Sequence, residues 1–518
     1  MTQLPGSYES YWMESAAGTA HPALAGDIEV DVAVVGGGIA GICAAWELAR
    51  AGRSVTVLEA DRVAAGVTGY TTAKLSSQHG LIYAKLRKSF GADGARLYAR
   101  SQQDAVEYVA EVAAELGIDC ELERLPSYAY VESSEQVAQV EAEAEAALEA
   151  GLPASFVTAT GLPFPVAGAV RFEDQAQFHP RKYLLALAAD LIGRGGRIHE
   201  RTRVVSLHEG EPCRLTTEAG ATVTARDVVV ATHYPVFDRA MLFTRLEPSR
   251  ELVVAATIPA GSDPRGTYLT QEQNTRSVRT APYDADRRLL IVTGEKFKPG
   301  TGEVTERYER LAAWTTERFP DATITHRWAA QDNTTTDGVP YVGRFHPGTE
   351  HVYVATGFGA WGMSNGVMSG RLIAAHIAGE ELPWSGLYDP RRLHPLRDAP
   401  SMLKLQGSVV KHFVGDRLPT SHADSVDDIA PGTGAVVRVD GRRCAVYRAE
   451  DGSVQAVSAR CTHLGCLVHF NDAERAWECP CHGSRFATDG SVVQGPAVRP
   501  LEPRPLAGDG GEGGAHPA

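Results

Sequence analysis

The sequence predicts an α/β domain followed by a small all-β module. Three stretches predict it. Residues 31–59 run strand, glycine turn, helix, strand, and residues 351–378 return to strand, turn and helix. From 430 onward the text changes to short strands with turn signals, as in GAVVRVDGRRCAVYRAEDGSVQAVS. At 518 residues the chain exceeds a single core, so more than one domain is expected.

Taken in order, DVAVV (31–35) is a short apolar strand. IAGICAAWELARAG is rich in helix formers and closes on Gly52. SVTVLEA is the second strand and ends in Glu59. Helices are expected over 90–117 and 134–150, the second an acidic run that reads as a solvated helix face. RKYLLALAADLIGRGG predicts a helix, followed by strands in RIHERTRVVSL and DVVVATH. The Pro/Arg-rich text after 390 predicts a linker over 391–429, and the Gly-rich end predicts a disordered tail over 507–518.

Composition narrows the classes. A net charge of −14 argues against a nucleic-acid partner, which needs clustered Lys and Arg. No apolar run approaches a bilayer span, and the first residues, MTQLPGSYESYWMES, lack the features of a secretory signal. A cytoplasmic protein is expected. Of eight cysteines, Cys43, Cys120, Cys213 and Cys444 are scattered and read as buried fillers. The other four crowd between 461 and 481, which in a reducing compartment suggests metal.

Gly36, Gly38 and Gly41 form G-x-G-x-x-G directly after a strand and at the opening of a helix. The first glycine allows the tight turn, the second a close approach to a pyrophosphate, and the third close helix–strand packing. The helix N-terminus offers unpaired amides and a partial positive charge. Glu59 lies where a carboxylate accepts hydrogen bonds from ribose hydroxyls. The motif leaves NAD and FAD open.

At the other end, CTHLGCLVHFNDAERAWECPCHGS (461–484) contains Cys461-x-His463 and Cys479-x-x-His482. An iron–sulfur centre with two thiolates on one iron and two imidazoles on the other needs such pairs. Cys466 and Cys481 remain, one in each loop. Zinc also uses Cys and His, but its ribbons favour C-x-x-C knuckles in place of these pairs.

The stretches GVTGYTTAKLSSQHG (66–80), VVVATHYP (228–235) and ATGFGAWGMSNG (355–366) resemble the D-amino-acid-oxidase-like family of FAD enzymes, which includes glycine and sarcosine oxidases. The resemblance implies a domain over 1–390. Its FAD-binding parts would be a Rossmann-like α/β assembly over about 28–80, 180–240 and 335–390. An α+β substrate subdomain would cover about 81–179 and 241–334. It places Thr68, Thr72, Lys74, Val204 and Ala231 at the cofactor. It also places Gly357, Gly359, Gly362 and Met363 there, where a second helix N-terminus faces the flavin. Lys74 and His79 become flavin-adjacent candidates for catalysis, with no base assigned. The only other glycine cluster of fingerprint type, LIGRGG (191–196), follows a helix and reads as a helix stop, so no NAD(P)H domain is expected. Cys43 lies inside the first helix, so no covalent flavin link is expected there.

The C-terminal stretch resembles the Rieske [2Fe–2S] domain of cytochrome type over 430–506. That resemblance implies a disulfide between Cys466 and Cys481 and a packing loop at GPA (495–497). One departure is Phe486, where the pattern has a tyrosine that bonds to a cluster thiolate. A lost hydrogen bond lowers the potential, so a value below the top of the range of roughly −150 to +300 mV is expected. A Rieske oxygenase would need a separate mononuclear iron domain, and the FAD-like text occupies that space.

Together the resemblances imply an FAD- and [2Fe–2S]-dependent oxidoreductase. A small amine or amino acid would give hydride to the flavin, and electrons would leave singly through the cluster to an external carrier. Two alternatives stay open. Electrons could enter through the cluster, or the protein could be a redox sensor or assembly module without turnover.

Overall fold

The computed structural model describes residues 4–393, Leu403 and 425–505. Most of the expected linker and all of the expected tail lie outside these residues. The chain divides into two compact units, 1–297 with 306–403, and 298–305 with 404–518. Residues 298–305 fall inside the sequence's substrate part, yet they cluster with the second unit. Among the described residues, no helix is long and apolar enough to cross a membrane.

The first unit contains two sheets. One runs in the order 341–344, 352–356, 222–230, 28–35, 55–58, 197–199, and its central strands are parallel. A hairpin, 204–208 and 213–217, is added beside 222–230. Strand Ile28–Val35 ends in four buried residues because both faces are covered. On one face lie the helices Ile39–Arg50 and Gly362–Ala378. They pack at backbone distance. A Cβ on Gly366 would lie 2.5 Å from Ile39 Cγ2, and one on Gly370 would lie 2.6 Å from Cys43 Cβ and 2.8 Å from the Ala44 amide nitrogen.

The other sheet is larger and mostly antiparallel. Its order is 7–8, 323–335, 246–259, 287–297, 276–282, 267–270, 123–131, 168–177, 74–75, with 154–157 added beside 168–177. Strand Lys74–Leu75 pairs with Gly168–Gln177, which places Lys74 on this sheet. The N-terminal segment is anchored by Trp12, which is fully buried and donates from Nε1 to the Thr71 carbonyl at 2.6 Å.

Two helices differ from expectation. The helix expected over 90–117 begins at Tyr83 and breaks at Gly91, whose φ is 74°. The acidic run forms the helix Val137–Glu149, but Glu143 is not on a solvated face. It is fully buried and accepts from the amides of Tyr83 and Ala84 at 2.7 and 2.8 Å. It thereby caps a helix start 60 residues upstream, which local periodicity cannot reveal.

The second unit has a three-stranded antiparallel sheet, 433–439, 442–448 and 454–458. A four-stranded sheet follows, 469–471, 476–478, 485–486 and 492–494. Its core contains Trp477, Phe486 and all four clustered cysteines.

Burial raises the Glu143 carboxyl from 4.5 to about 7, against the pull of the backbone amides. A carboxyl raised by folding contributes stability that is complete below its unfolded value and is lost as pH rises through the folded one. Glu143→Gln cannot ionise. Between pH 4.5 and 8 the wild-type should therefore lose roughly 2–3 kcal/mol relative to the variant. Urea unfolding of both proteins across that pH range checks this.

Candidate redox sites

The glycine turn is built as the sequence requires. Gly36 has φ 109°, and a Cβ there would strike the Ala231 carbonyl. A Cβ on Gly41 would overlap the Gly36 carbonyl. Gly38 is the N-cap of Ile39–Arg50 and has no side chain to cap it. Thr68 Oγ1 accepts from the Ile39 amide at 3.1 Å. Glu59 is held in the same turn: Oε2 accepts from the Gly37 amide at 2.6 Å and Oε1 from the Asp61 amide at 2.8 Å. Burial raises its carboxyl. Ala231 follows strand Thr222–Val230 and donates its amide to the Val35 carbonyl at 2.9 Å. Val204 begins the strand Val204–His208 and is buried in the core on the sheet's other side.

The second helix start repeats the design. Gly357 and Gly359 have φ of 78° and 59°, and a Cβ on Gly357 would strike Thr335. Gly362 and the buried Met363 open the helix, and its N-cap Trp361 makes no side-chain cap. Both helix starts therefore present amides without side-chain acceptors, apart from Ile39, a donor set that fits the phosphate and ring-carbonyl groups of FAD.

Lys74 sits on the larger sheet. Its Nζ donates to Thr72 Oγ1 at 3.1 Å and to Ser277 Oγ. Desolvation, and the nearby Arg279, lower its ammonium to about 7. Arg279 donates to the carbonyls of Thr72 and Ala73 at 2.8 and 2.6 Å, fixing the peptide that carries Lys74. His79 has a different setting. Its Nε2 faces the Ser76 carbonyl at 2.8 Å, so Nε2 holds the proton and Nδ1 accepts from Tyr98 OH at 2.6 Å. Its ring stacks on Trp361 at 4.6 Å, and burial lowers it to about 3. His79 is thus a neutral ring that holds the second helix start in place.

Sequence reasoning missed Glu251, Asp332 and Ser277. Register puts them on one face: Ser277 opposes Thr293, Thr293 opposes Val253, and Glu251 lies two residues from Val253. Ser249, two residues before Glu251, opposes Asp332. Burial raises the Glu251 carboxyl, with Lys296 and Lys74 pulling the other way. No sequence signal marks these residues, since a charged residue on a strand ordinarily reads as its solvent face.

In the second unit the two cysteine loops share one backbone design. The Cys461 amide donates to the Cys466 carbonyl at 2.8 Å, and the Gly465 amide to the Cys461 carbonyl at 3.0 Å. The Cys479 amide donates to the Ser484 carbonyl at 2.8 Å, and the Gly483 amide to the Cys479 carbonyl at 3.0 Å. Gly465 and Gly483 have φ of 78° and 80°. Each thiol receives two amides of its own loop, from His463 and Leu464 on Cys461 and from Cys481 and His482 on Cys479. The two thiols also share a hydrogen bond, which draws Cys461 down to about 7 and pushes Cys479 up. The rings of His463 and His482 lie 4.9 Å apart, and burial and its neighbour lower His482 to about 3. The sulfurs of Cys466, Cys479 and Cys481 also lie within 4.8 Å of one another, but Cys466 and Cys481 are bonded as a disulfide and cannot serve as ligands. Two adjacent thiols and two adjacent imidazoles fit a [2Fe–2S] cluster. Ser484 donates to Cys461 and accepts from the Ala497 amide at 3.1 Å, while Phe486 is buried and has no donor.

Known proteins bear on these sites. The family model described as FAD dependent oxidoreductase matches residues 31–376, and the Rieske [2Fe-2S] domain model matches 421–505. The putative Rieske 2Fe-2S iron-sulfur protein YhfW of Bacillus subtilis is 34% identical over 95% of this chain and 97% of its own. Gamma-glutamylputrescine oxidoreductase of Escherichia coli is 26% identical over 68% of this chain and 84% of its own. The crystal structure of glycine oxidase from Geobacillus kaustophilus aligns with a TM-score of 0.59 and 21% identity over 71% of this chain and 100% of that one, which shows the shared fold.

A methyl at Gly465 would meet no neighbour, so only the left-handed backbone penalises it. Gly465→Ala should destabilise the loop by about 1–2 kcal/mol and speed iron loss. The rate of iron transfer to a chelator, compared with wild-type, measures this.

Proposed function

The chain belongs to the family of FAD-dependent oxidoreductases and carries a Rieske [2Fe–2S] domain, and from that premise we propose that it oxidises a small amine or amino acid at a carbon–nitrogen bond and passes the electrons to an external one-electron carrier. Gly36, Gly38, Gly41, Glu59, Thr68, Thr72, Lys74, Val204, Ala231, Gly357, Gly359, Gly362 and Met363 hold the FAD. Cys461, His463, Cys479 and His482 hold the cluster. When bound, the flavin accepts a hydride from the carbon beside nitrogen and the cluster relays electrons one at a time.

The observation that carries this reading is Lys74, a half-buried lysine lowered to about 7 and oriented by Thr72 and Ser277. An amine reaches the site as an ammonium and must lose a proton before its C–H becomes a hydride donor. Unprotonated Lys74 Nζ takes that proton. Glu251, on the same sheet face, offers a carboxyl oxygen that accepts a hydrogen bond from the substrate nitrogen. Water then hydrolyses the imine product, giving deamination or N-dealkylation. The relative named gamma-glutamylputrescine oxidoreductase supports an amine.

The rate of flavin reduction should rise with pH through about 7, as Lys74 loses its proton. Lys74→Met should remove that limb and slow the step by about 10²–10⁴-fold. Anaerobic stopped-flow mixing with a panel of amines and amino acids, read by absorbance for flavin and by electron resonance for the cluster, tests both base and direction. Flavin bleaching before cluster reduction supports the proposal. Cluster reduction by a carrier, followed by flavin reduction, would reverse it.

A further inference from the structure

Residues 298–305 belong to the second unit although more than 150 residues separate them from the cluster loops. The Cys479–Ser484 loop closes a hairpin whose last pair is Glu478 opposite Arg485. Glu478 is fully buried. Its Oε1 accepts from Arg485 Nε at 3.2 Å and from Asn471 Nδ2 at 3.0 Å. Its Oε2 accepts from the Gly300 amide at 2.8 Å. A buried carboxylate is held only if its lone pairs are met, so the Gly300 amide is part of the hairpin's base. The fit is close. Gly300 has φ 70°, and a Cβ there would lie 2.8 Å from the Glu478 carbonyl oxygen and 3.4 Å from His469 Cβ.

A second anchor flanks the first. Asp472 accepts from the amides of Val304 and Thr305 at 2.9 and 3.2 Å. Between the anchors the segment turns on itself, with Thr301 Oγ1 donating to the Lys298 carbonyl at 2.7 Å. Lys298 lies two residues before Gly300, so the strap brings a cation to the hairpin that carries the Cys479–Ser484 loop.

We propose that residues 298–305 form a strap that completes the Rieske module, in which the Gly300 amide positions the Cys479–Ser484 loop through Glu478 and Lys298 raises the cluster's reduction potential. Reduction adds one negative charge to the cluster, so a nearby cation favours the reduced form. Gly300 and Lys298 are positioning and tuning residues that touch no substrate. The inference rests on Cys479 and His482 being cluster ligands.

The test uses the full-length holoprotein. Lys298→Met should shift the cluster's reduction equilibrium about three- to tenfold toward the oxidised form, a tenfold change being about 59 mV for one electron. Its iron content and resonance line positions should match wild-type. Gly300→Ala should move the line positions and shed iron several-fold faster. Lys88→Met, a charge change in the first unit, serves as control and should leave the potential unchanged. A wild-type potential in Lys298→Met together with wild-type lines and iron retention in Gly300→Ala would overturn the strap. A Rieske signal that survives Cys479→Ser would overturn the ligand assignment, and the strap with it.

Discussion

The first unit depends on two helices that meet where one of them has only glycine at the contact. Gly366 and Gly370 bring Gly362–Ala378 against Ile39, Cys43 and Ala44 of Ile39–Arg50. Both helices begin at glycine turns, so their N-terminal amides converge on one region of the parallel sheet. Larger residues at this contact would separate the helices and spread the two sets of donors. The same closeness explains Cys43. It is buried at the contact, and burial pushes its thiol far above the ordinary range, which makes it inert packing.

The larger sheet has a face carrying charges that burial disfavours. Lys74 and Glu251 are both displaced toward their neutral forms, chiefly by desolvation. Such groups weaken a fold, and their placement there makes proton transfer near neutral pH accessible. The structure supports Lys74 from behind. Arg279 pins the preceding peptide, and its guanidinium lies 5.3 Å from the Trp12 ring. His79 lies beside the second helix start. With both ring nitrogens engaged and its ring stacked on Trp361, it holds a helix start.

The second unit solves a different problem, since two thiols and two imidazoles from separate loops converge within a small module. It does so by using one loop design twice, each copy closed by the same two backbone hydrogen bonds and a left-handed glycine. Amides directed at each thiol favour the thiolate form that metal requires. The disulfide between Cys466 and Cys481 joins the loops, and Glu478 with Arg485 closes the base of the second.

What could be read in the sequence was local. G-x-G-x-x-G, the later glycine turn and the two Cys/His pairs each place their chemistry within a few residues. Backbone geometry then determines the rest, and the same holds for the strands and helices that flank the turns. Tertiary structure decided what joins distant residues. It brought Lys74 to Ser277 across 203 positions, the Gly300 amide to Glu478 across 178, and Glu143 to the amides of Tyr83 and Ala84. It also buried Glu143 of the acidic run as a helix cap, while Glu141, Glu145 and Glu149 stay exposed, and placed Glu251 near the lysine. Periodicity records which face a residue occupies. It does not record which distant strand will lie opposite, because that depends on the packing of the whole sheet.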